Sequence, residues 1–165
     1  MTAIAIAPET LWVKPSITVD TVLGDQPVLN TLHEAVGVDV GFKTLVTLSD
    51  GRKIRKGSHK AVAMELARSY GVVCTEARSD ALKYFEGFFD ALDRFCTQFA
   101  TLHVSVGRYF PSTRKCSVCG IVHQRIDTTI RAWECGSCHT KHDRDVNAAK
   151  NILVEGLRLK KSIRC

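Results

Sequence analysis

The chain has 165 residues and a formal net charge of +6; 45% of its residues are hydrophobic and 24% are charged. This length and composition are ordinary for one soluble globular domain. No run approaches the roughly 20 apolar residues that span a bilayer, and the first residues lack the features of a signal peptide. We therefore expect a cytoplasmic protein with no membrane partner. The basic balance favours nucleic acid as a partner.

Residues 1–34 predict a small β-rich lead-in, because apolar residues alternate with others between proline and glycine breaks. The next segment predicts three strands, with an Asp50-Gly51 hairpin turn between the second and the third. A helix over 59–70 and a strand over 72–76 follow. A longer helix opens at Ser79 and Asp80, and a strand over 101–106 comes next. After an insertion, a final helix covers about 146–159. This order predicts an α/β fold with a mixed sheet and flanking helices.

Apolar residues in the second predicted helix recur at steps of three and four, which is typical of one helix face. The stripe consists of Leu82, Phe85, Phe89, Leu92, Cys96 and Phe99. Core packing is the favoured interpretation, and a cofactor-binding aromatic stripe is the alternative.

Two C-x-x-C pairs, separated by fifteen residues, dominate the insertion. They are Cys116, Cys119, Cys135 and Cys138. This spacing is typical of structural Zn²⁺, and four thiolates close the coordination shell to substrate. Two disulfides or a redox pair are the alternatives. His123, His139 and His142 are spare ligand candidates. Between the pairs, Arg125, Arg131 and Trp133 predict contact with a nucleic-acid backbone; packing of Trp133 on the cysteine turns is the competing interpretation.

Three carboxylates occupy informative positions. Val36, Val38 and Val40 would share one face of a strand, so Asp39 must point to the other. Glu76 closes an apolar strand, and Asp145 stands at the start of the final helix. The purely structural alternatives are an edge-strand charge for Asp39, a solvated strand end for Glu76 and a helix N-cap for Asp145. Together the carboxylates suit Mg²⁺, and a metal pair about 4 Å apart can hydrolyse a phosphodiester.

Basic residues cluster in two places. Residues 51–60 contain Arg52, Lys53, Arg55 and Lys56, and the C-terminal run contains Lys160 and Lys161. Phosphate contact with salt-dependent affinity is the functional interpretation. A solvated charged surface is the alternative.

These motifs resemble the RuvC-like nuclease domain of TnpB (OrfB) proteins from transposons, which are related to type V CRISPR effectors. VGVDVGFKTLVTLSDG (36–51) is similar to the family's opening strand pair with a catalytic aspartate, here Asp39. VVCTEARSD is similar to the second motif, with Glu76. YFPSTRKCSVCG and WECGSCHTKHDRDVNAAKNIL are similar to the zinc ribbon and third motif, which assigns Asp145, with Asp143 as the second candidate.

The resemblance implies an RNase H-like (RuvC) fold: a nuclease domain over 35–165, interrupted by a zinc ribbon at about 111–142. It also implies DNA cleavage with Mg²⁺ or Mn²⁺ on Asp39, Glu76 and Asp145, leaving a 5′-phosphate and a 3′-hydroxyl. The family's long N-terminal regions and arginine-rich insertion have no counterpart here, so we expect a miniature, stand-alone DNA endonuclease of bacterial, phage or mobile-element type. A non-catalytic DNA- or RNA-binding module and one component of a split RNA-guided complex are the alternatives. A homodimer would suit the cutting of two strands.

Overall fold

The computed structural model describes residues 35–78, 80–124 and 129–162. The predicted lead-in over 1–34 lies outside them. The strands are β1 (Ala35–Val40), β2 (Val46–Leu48), β3 (Lys53–Ile54), β4 (Val72–Glu76), β5 (Leu102–Val106), β6 (Ala132–Glu134) and β7 (Lys141–Asp143). The α-helices are α1 (His59–Ser69), α2 (Glu86–Gln98) and α3 (Arg144–Ser162). No helix in the described part of the chain is long and apolar enough to cross a bilayer.

Five strands form a mixed sheet in the order β3-β2-β1-β4-β5. β1 pairs antiparallel with β2 and parallel with β4, which in turn pairs parallel with β5. The predicted hairpin turn joins β2 to β3, and Gly51 there has a φ of 94°, which glycine adopts at no steric cost. Parallel pairing requires crossover connections, and these contain α1 and α2. β6 and β7 form a separate antiparallel hairpin.

The predicted alternation in β1 separates the two faces of the sheet. Val36 and Val38 lie in the larger apolar core, together with side chains of α1 and α2. Ala35 lies in a second core on the opposite face, with Ile152 of α3. Burying each such aliphatic side chain contributes about 1.5–3 kcal/mol. The sheet is therefore a layer between α1/α2 and α3, and Asp39 belongs to the α3 face.

Two glycines allow α3 to approach the sheet closely. A Cβ atom built on Gly37 of β1 would lie 2.0 Å from the carbonyl oxygen of Ala149. One built on Gly156 of α3 would lie 2.4 Å from Sγ of Cys74 in β4. Both distances are far below van der Waals contact, so a larger residue at either position would push α3 away. This close packing holds the first turn of α3 near the ends of β1 and β4.

The helix boundaries differ from the sequence predictions at two places. The segment Asp80–Phe85 forms a 3-10 helix, and α2 begins only at Glu86. Its predicted stripe is nevertheless core: Phe85, Phe89 and Leu92 are buried, which confirms the packing interpretation. The final helix begins at Arg144 and extends to Ser162, beyond the predicted 146–159. These differences follow from tertiary contacts and capping, which a periodic pattern does not encode.

Candidate active site and metal centre

Asp39 and Glu76 are brought together by the parallel pairing of β1 and β4. Val38 pairs with Thr75, so the next residue of each strand stands beside the other at the carboxyl edge of the sheet. Because side chains alternate along a strand, both carboxylates belong to the face that α3 covers. This edge of a parallel sheet is where α/β proteins commonly bind ligands.

Asp145 joins this edge from the first turn of α3. The residue that caps the helix is Asp143: its Oδ1 accepts hydrogen bonds from the amides of Asp145 (3.1 Å) and Val146 (3.0 Å). Partial burial opposes ionisation of Asp143, but the Lys53 ammonium and these amides hold its pKa below the usual value. Asp143 therefore stabilises the helix, while Asp145 is left to face the sheet edge. The N-cap alternative considered for Asp145 belongs to Asp143.

One cavity of about 380 Å³ contains all three predicted carboxylates. Its lining consists of Asp39, Val40, Gly41, Phe42, Lys43, Thr44, Thr47, Glu76, Thr113, Arg131, Arg144 and Asp145. Burial raises the pKa of Asp39 well above its usual value, and the charges of Glu76 and Asp145 raise it further. The guanidinium groups of Arg144 and Arg131 oppose this rise. The cavity thus combines mutually repelling acids with cationic walls.

Two of the carboxylates are already engaged by neighbouring side chains. The Ser112 hydroxyl donates a hydrogen bond to Oε1 of Glu76. Nη1 of Arg131 lies 2.9 and 3.0 Å from the two carboxylate oxygens of Asp145. Among the described residues, the cysteines form the one group of possible ligands whose atoms all lie within 4.8 Å of one another. The carboxylates therefore share a cavity but stand farther apart than a tight ligand cluster.

Two asparagines that no sequence motif singled out tie this cavity to residues 111–142, which contain the four cysteines and are called the cysteine segment. Asn147 and Asn151 are buried on α3, and both donate from Nδ2 to the carbonyl oxygen of Lys115, at 2.8 and 2.6 Å. Asn151 also donates to the carbonyl oxygen of Ser112 at 2.8 Å. A pair of asparagines four residues apart on a buried helix face was the available signal. These hydrogen bonds hold the backbone of Ser112, whose hydroxyl contacts Glu76.

The four predicted cysteines converge on one point and could hold a metal ion. Their sulfur atoms all lie within 4.8 Å of one another. Sγ of Cys116 is 3.6 Å from that of Cys138, and Sγ of Cys119 is 3.7 Å from that of Cys135. A tetrahedron with metal–sulfur bonds of about 2.3 Å has sulfur–sulfur edges of about 3.8 Å. The thiol donors and their spacing therefore fit one tetrahedral metal ion. The sulfur–sulfur distances are too long for disulfide bonds.

The thiols of this cluster differ in acidity. A side-chain hydrogen bond with Thr140 is the main cause that lowers the pKa of Cys138 to about 6. A hydrogen bond with the Ile121 backbone amide also lowers the pKa of Cys119. Desolvation and the neighbouring thiols outweigh it and raise the pKa of Cys119 to about 12. Binding of a metal requires thiolates, so it must release the remaining protons.

Histidine and tryptophan rings surround the sulfur atoms without replacing them. Nε2 of His142 lies 3.1 Å from Sγ of Cys116, and Nε2 of His123 lies 3.2 Å from Sγ of Cys135. Trp133 packs against both imidazole rings, at centroid distances of 4.6 and 5.1 Å. His139 instead pairs with Glu134 at the surface. Trp133 therefore packs against the two histidines that contact the cysteine sulfurs, which favours the packing interpretation of this residue.

The predicted basic residues divide between the cavity edge and other surfaces. Lys53, Arg55 and Arg131 line a second cavity of about 390 Å³, which also contains Lys43, Thr44 and Asp145. Lys53 also pairs with Asp143 at 2.7 Å.

The remaining basic residues lie elsewhere. Arg52 pairs with Asp50, and exposed Lys56 precedes α1. Lys160 and Lys161 lie in the last turns of α3, about 23 Å along the helix from Asp145. Arg125 lies outside the described residues.

Similarity to known proteins covers the four cysteines and Asp145, and in the longer matches nearly three quarters of the chain. Residues 85–152 match the family described as Cas12f1-like, TNB domain. A Streptomyces pristinaespiralis protein with the provisional name RNA-guided DNA endonuclease is 28% identical, over 74% of this chain and 45% of its own. A TnpB-like protein of Acanthamoeba polyphaga mimivirus is 39% identical, over 45% of this chain and 14% of its own.

The fold is similar to that of a solved structure, the cryo-EM structure of the Cas12f1-sgRNA-target DNA complex. The TM-score is 0.53 at 14% identity, over 72% of this chain and 49% of that one. These matches confirm the predicted resemblance to TnpB-type proteins and the RNase H-like α/β fold. The chain spans less than half the length of the two curated relatives named above.

Proposed function

We propose that this chain, which resembles TnpB-type proteins, is a metal-dependent DNA endonuclease that hydrolyses phosphodiesters. The observation that carries the proposal is the shared cavity of Asp39, Glu76 and Asp145, with cationic side chains in its walls. A protein that only binds nucleic acid gains nothing from three anions facing phosphate. The division into a nuclease domain over 35–165 and a zinc ribbon at about 111–142 is part of this proposal.

Asp39, Glu76 and Asp145 would hold Mg²⁺ or Mn²⁺, because carboxylate oxygens are hard ligands that these cations prefer. When bound, a metal pair activates the attacking water and stabilises the leaving oxygen. Ser112 would orient Glu76 through its hydrogen bond to Oε1. Arg131 neutralises Asp145 in the geometry described here and would have to release it for a cation to bind.

Protonation of Asp39 would make cation binding depend on pH. Burial and the neighbouring acids raise its pKa, so Asp39 keeps its proton to a higher pH than an ordinary aspartate. A cation must displace that proton, and its affinity should therefore increase as pH rises.

Zn²⁺ on the four cysteines would act structurally. A closed shell of four thiolates leaves no position for substrate. β7 runs directly into α3, which carries Asp145, and the asparagines of α3 bind the backbone beside Cys116. The metal would thus hold both the first turn of α3 and the segment that contains Ser112.

DNA would reach the carboxylates along the cavity edge lined by Lys43, Lys53, Arg55 and Arg131. The contribution of these cations should decline with salt, because phosphate binding releases counterions. Arg52, Lys56, Arg125, Lys160 and Lys161 stay predicted phosphate contacts outside this edge.

A second candidate function is one component of an RNA-guided assembly. The observation that favours it is the name of the Streptomyces relative, of which this chain spans 45%. RNA that co-purifies with the chain and is required for cleavage would favour this role over a stand-alone enzyme. A homodimer is a further proposal, which sedimentation in the presence and absence of DNA would test.

The decisive experiment is a cleavage panel of single-stranded, duplex and branched DNA with Mg²⁺ or Mn²⁺. We expect Asp39→Ala to lose at least about 1,000-fold in rate, as for removal of an essential catalytic group, while zinc content and DNA binding are retained. Asp90→Ala is the matched control, because Asp90 is an exposed acid on α2 that pairs with Arg78. Full activity of Asp39→Ala would refute the assignment.

A further inference from the structure

An exposed group of aromatic rings lies beside the carboxylate cavity, and no step proposed above uses it. Phe42 follows β1 and is 73% exposed; Tyr84 precedes α2 and is 70% exposed. Their ring centroids are 5.6 Å apart. Large aromatic side chains are normally covered, and two exposed rings in contact form a surface that favours a flat apolar partner.

The two rings rest on a rigid base. Phe85, which is fully buried in the core beneath them, lies 5.0 Å from the Phe42 ring and 5.2 Å from the Tyr84 ring, measured between centroids. The imidazole of His59 is 6.1 Å from the Tyr84 ring. Because Phe85 anchors both rings from below, their outer surfaces are held in place for a ligand.

The position of Phe42 connects this surface to the proposed chemistry. Phe42 lines the same cavity as Asp39, Glu76 and Asp145. The adjacent residue, Lys43, lines both that cavity and the cationic one beside it. A DNA strand whose phosphates contact Lys43 and the other cationic side chains of these cavities would therefore place its bases next to Phe42.

We propose that Phe42 and Tyr84 form a platform on which one unpaired nucleobase of the DNA strand stacks as that strand enters the carboxylate cavity. This proposal rests on the proposed nuclease function and adds that the bound strand is single at this point. In a duplex, the same base face is covered by its neighbours in the stack. Aromatic stacking is tolerant of sequence because each base has a π-face, so the platform selects unpaired DNA without reading its sequence.

The test measures binding of single-stranded DNA to the full chain, with no metal added beyond zinc. One abasic site is moved along the oligonucleotide, position by position. Wild-type protein should lose about 5- to 150-fold in affinity when the abasic site falls at one position, the range expected for one stacked base. Loss at no position, or equal loss at every position, would overturn the platform.

Variants locate the effect. Phe42→Ala should weaken binding of intact DNA by the same factor and bind the critical abasic strand no worse than wild type does, as expected for two groups that interact with each other. Phe42→Trp should keep the affinity. Phe42→Leu, which retains apolar contact with Phe85, should behave as Phe42→Ala; wild-type affinity of Phe42→Leu would overturn stacking.

Tyr109→Ala is the matched control, since Tyr109 is 87% exposed and lines neither cavity. Tyr84→Ala is a second variant that repeats the test without altering the cavity wall. Cleavage of the same strands by wild-type protein, measured after addition of Mg²⁺ or Mn²⁺, separates the two proposals. Cleavage without any effect of Phe42 on binding overturns the platform alone. Coupling of Phe42 to the base without cleavage supports the platform and refutes the stand-alone nuclease.

Discussion

The sheet with its helices and the segment that carries the four cysteines are stabilised in different ways. The sheet has an apolar core on each face, supplied by β1, β4, α1, α2 and α3. Between Pro111 and Lys141, no described residue belongs to either core. The buried side chains there are polar or sulfur-bearing: Ser112, Cys116 and Cys135. The sheet folds by burial of apolar area, whereas we expect the cysteine segment to depend on a metal bound by its four thiols.

The two regions meet at the carboxylates. Asp39 and Glu76 come from strands inside the sheet, while Arg131 and Ser112, which contact the acids, come from the cysteine segment. Catalytic geometry here would therefore need both kinds of stability at once. It also means that each region can be perturbed separately.

Loss of the metal cluster should affect the protein most. Cys116→Ser removes one of the four thiols that would hold zinc, so the variant should lose the metal. Structural Zn²⁺ supplies about 10–16 kcal/mol of apparent binding energy in small zinc-binding peptides, and that contribution is lost with it. We expect hydrogen exchange to show loss of protection in β6 and β7 while β1 and β4 stay protected, with a lower overall melting temperature. Cys96→Ser removes a buried thiol outside the cluster and should keep the metal. An unchanged metal content and melting temperature in Cys116→Ser would contradict the comparison.

A core substitution should produce the opposite pattern. Phe88 is fully buried between the helices and the sheet, so Phe88→Ala should lower the free energy of unfolding by about 3–5 kcal/mol. Urea denaturation measures this loss, and zinc stoichiometry of the folded protein should not change. Loss of zinc from folded Phe88→Ala would show that the two regions are not independent. Tyr109→Ala, at an exposed position, should stay within about 0.5 kcal/mol.

A smaller effect concerns Asp39, the half-buried acid of the sheet. Because the folded-state pKa of Asp39 is raised, the unfolded chain loses this proton first as pH rises, and the free energy of unfolding falls until Asp39 ionises in the folded state as well. Asp39→Asn has no such proton to lose. Without Mg²⁺ or Mn²⁺, the variant should therefore gain stability over wild type as pH rises, measured by urea denaturation at several pH values. A difference that is independent of pH would contradict this explanation.

The smallest effect on stability is expected where the regions touch. Arg131→Gln removes a partly exposed ion pair with Asp145, so stability should change by less than about 1 kcal/mol. Removal of a positive charge from the cavity should strengthen Mn²⁺ binding several-fold, as measured by calorimetric titration. Arg158→Gln, which removes an exposed pair with Glu155 on α3, is the control and should leave Mn²⁺ affinity unchanged. Weaker Mn²⁺ binding by Arg131→Gln would show that the arginine assists the cation.

Much of the fold could be predicted because its signals are local. The alternation in β1, the Asp-Gly turn and the apolar stripe of α2 each reflect the repeat of one element. The cysteine ligands were predictable since their spacing encodes two metal-binding turns. The start of α3 was misplaced because capping by Asp143 depends on side-chain geometry, and the 3-10 helix before α2 carries no periodic signal of its own.

The candidate site was predictable in its acids and not in its contacts. Strand position and resemblance pointed to Asp39, Glu76 and Asp145. Strand position and resemblance could not predict the hydrogen bond of Ser112 to Glu76 or the ion pair of Arg131 with Asp145. They also could not predict that Asn147 and Asn151 bind the backbone just before the cysteines. Lys160 and Lys161 illustrate the converse: their charge predicted phosphate contact, but the length of α3 separates them from the cavity.

Spacing among a few neighbouring residues is enough to predict the elements, the candidate acids and the four cysteines from the sequence. Folding sets which side chains meet: the packing of α3 through Gly37, the arginine on Asp145, and the ring of Phe42 against that of Tyr84. These contacts join residues that are distant in the chain. Their free energy depends on how whole faces pack, and no local period records it.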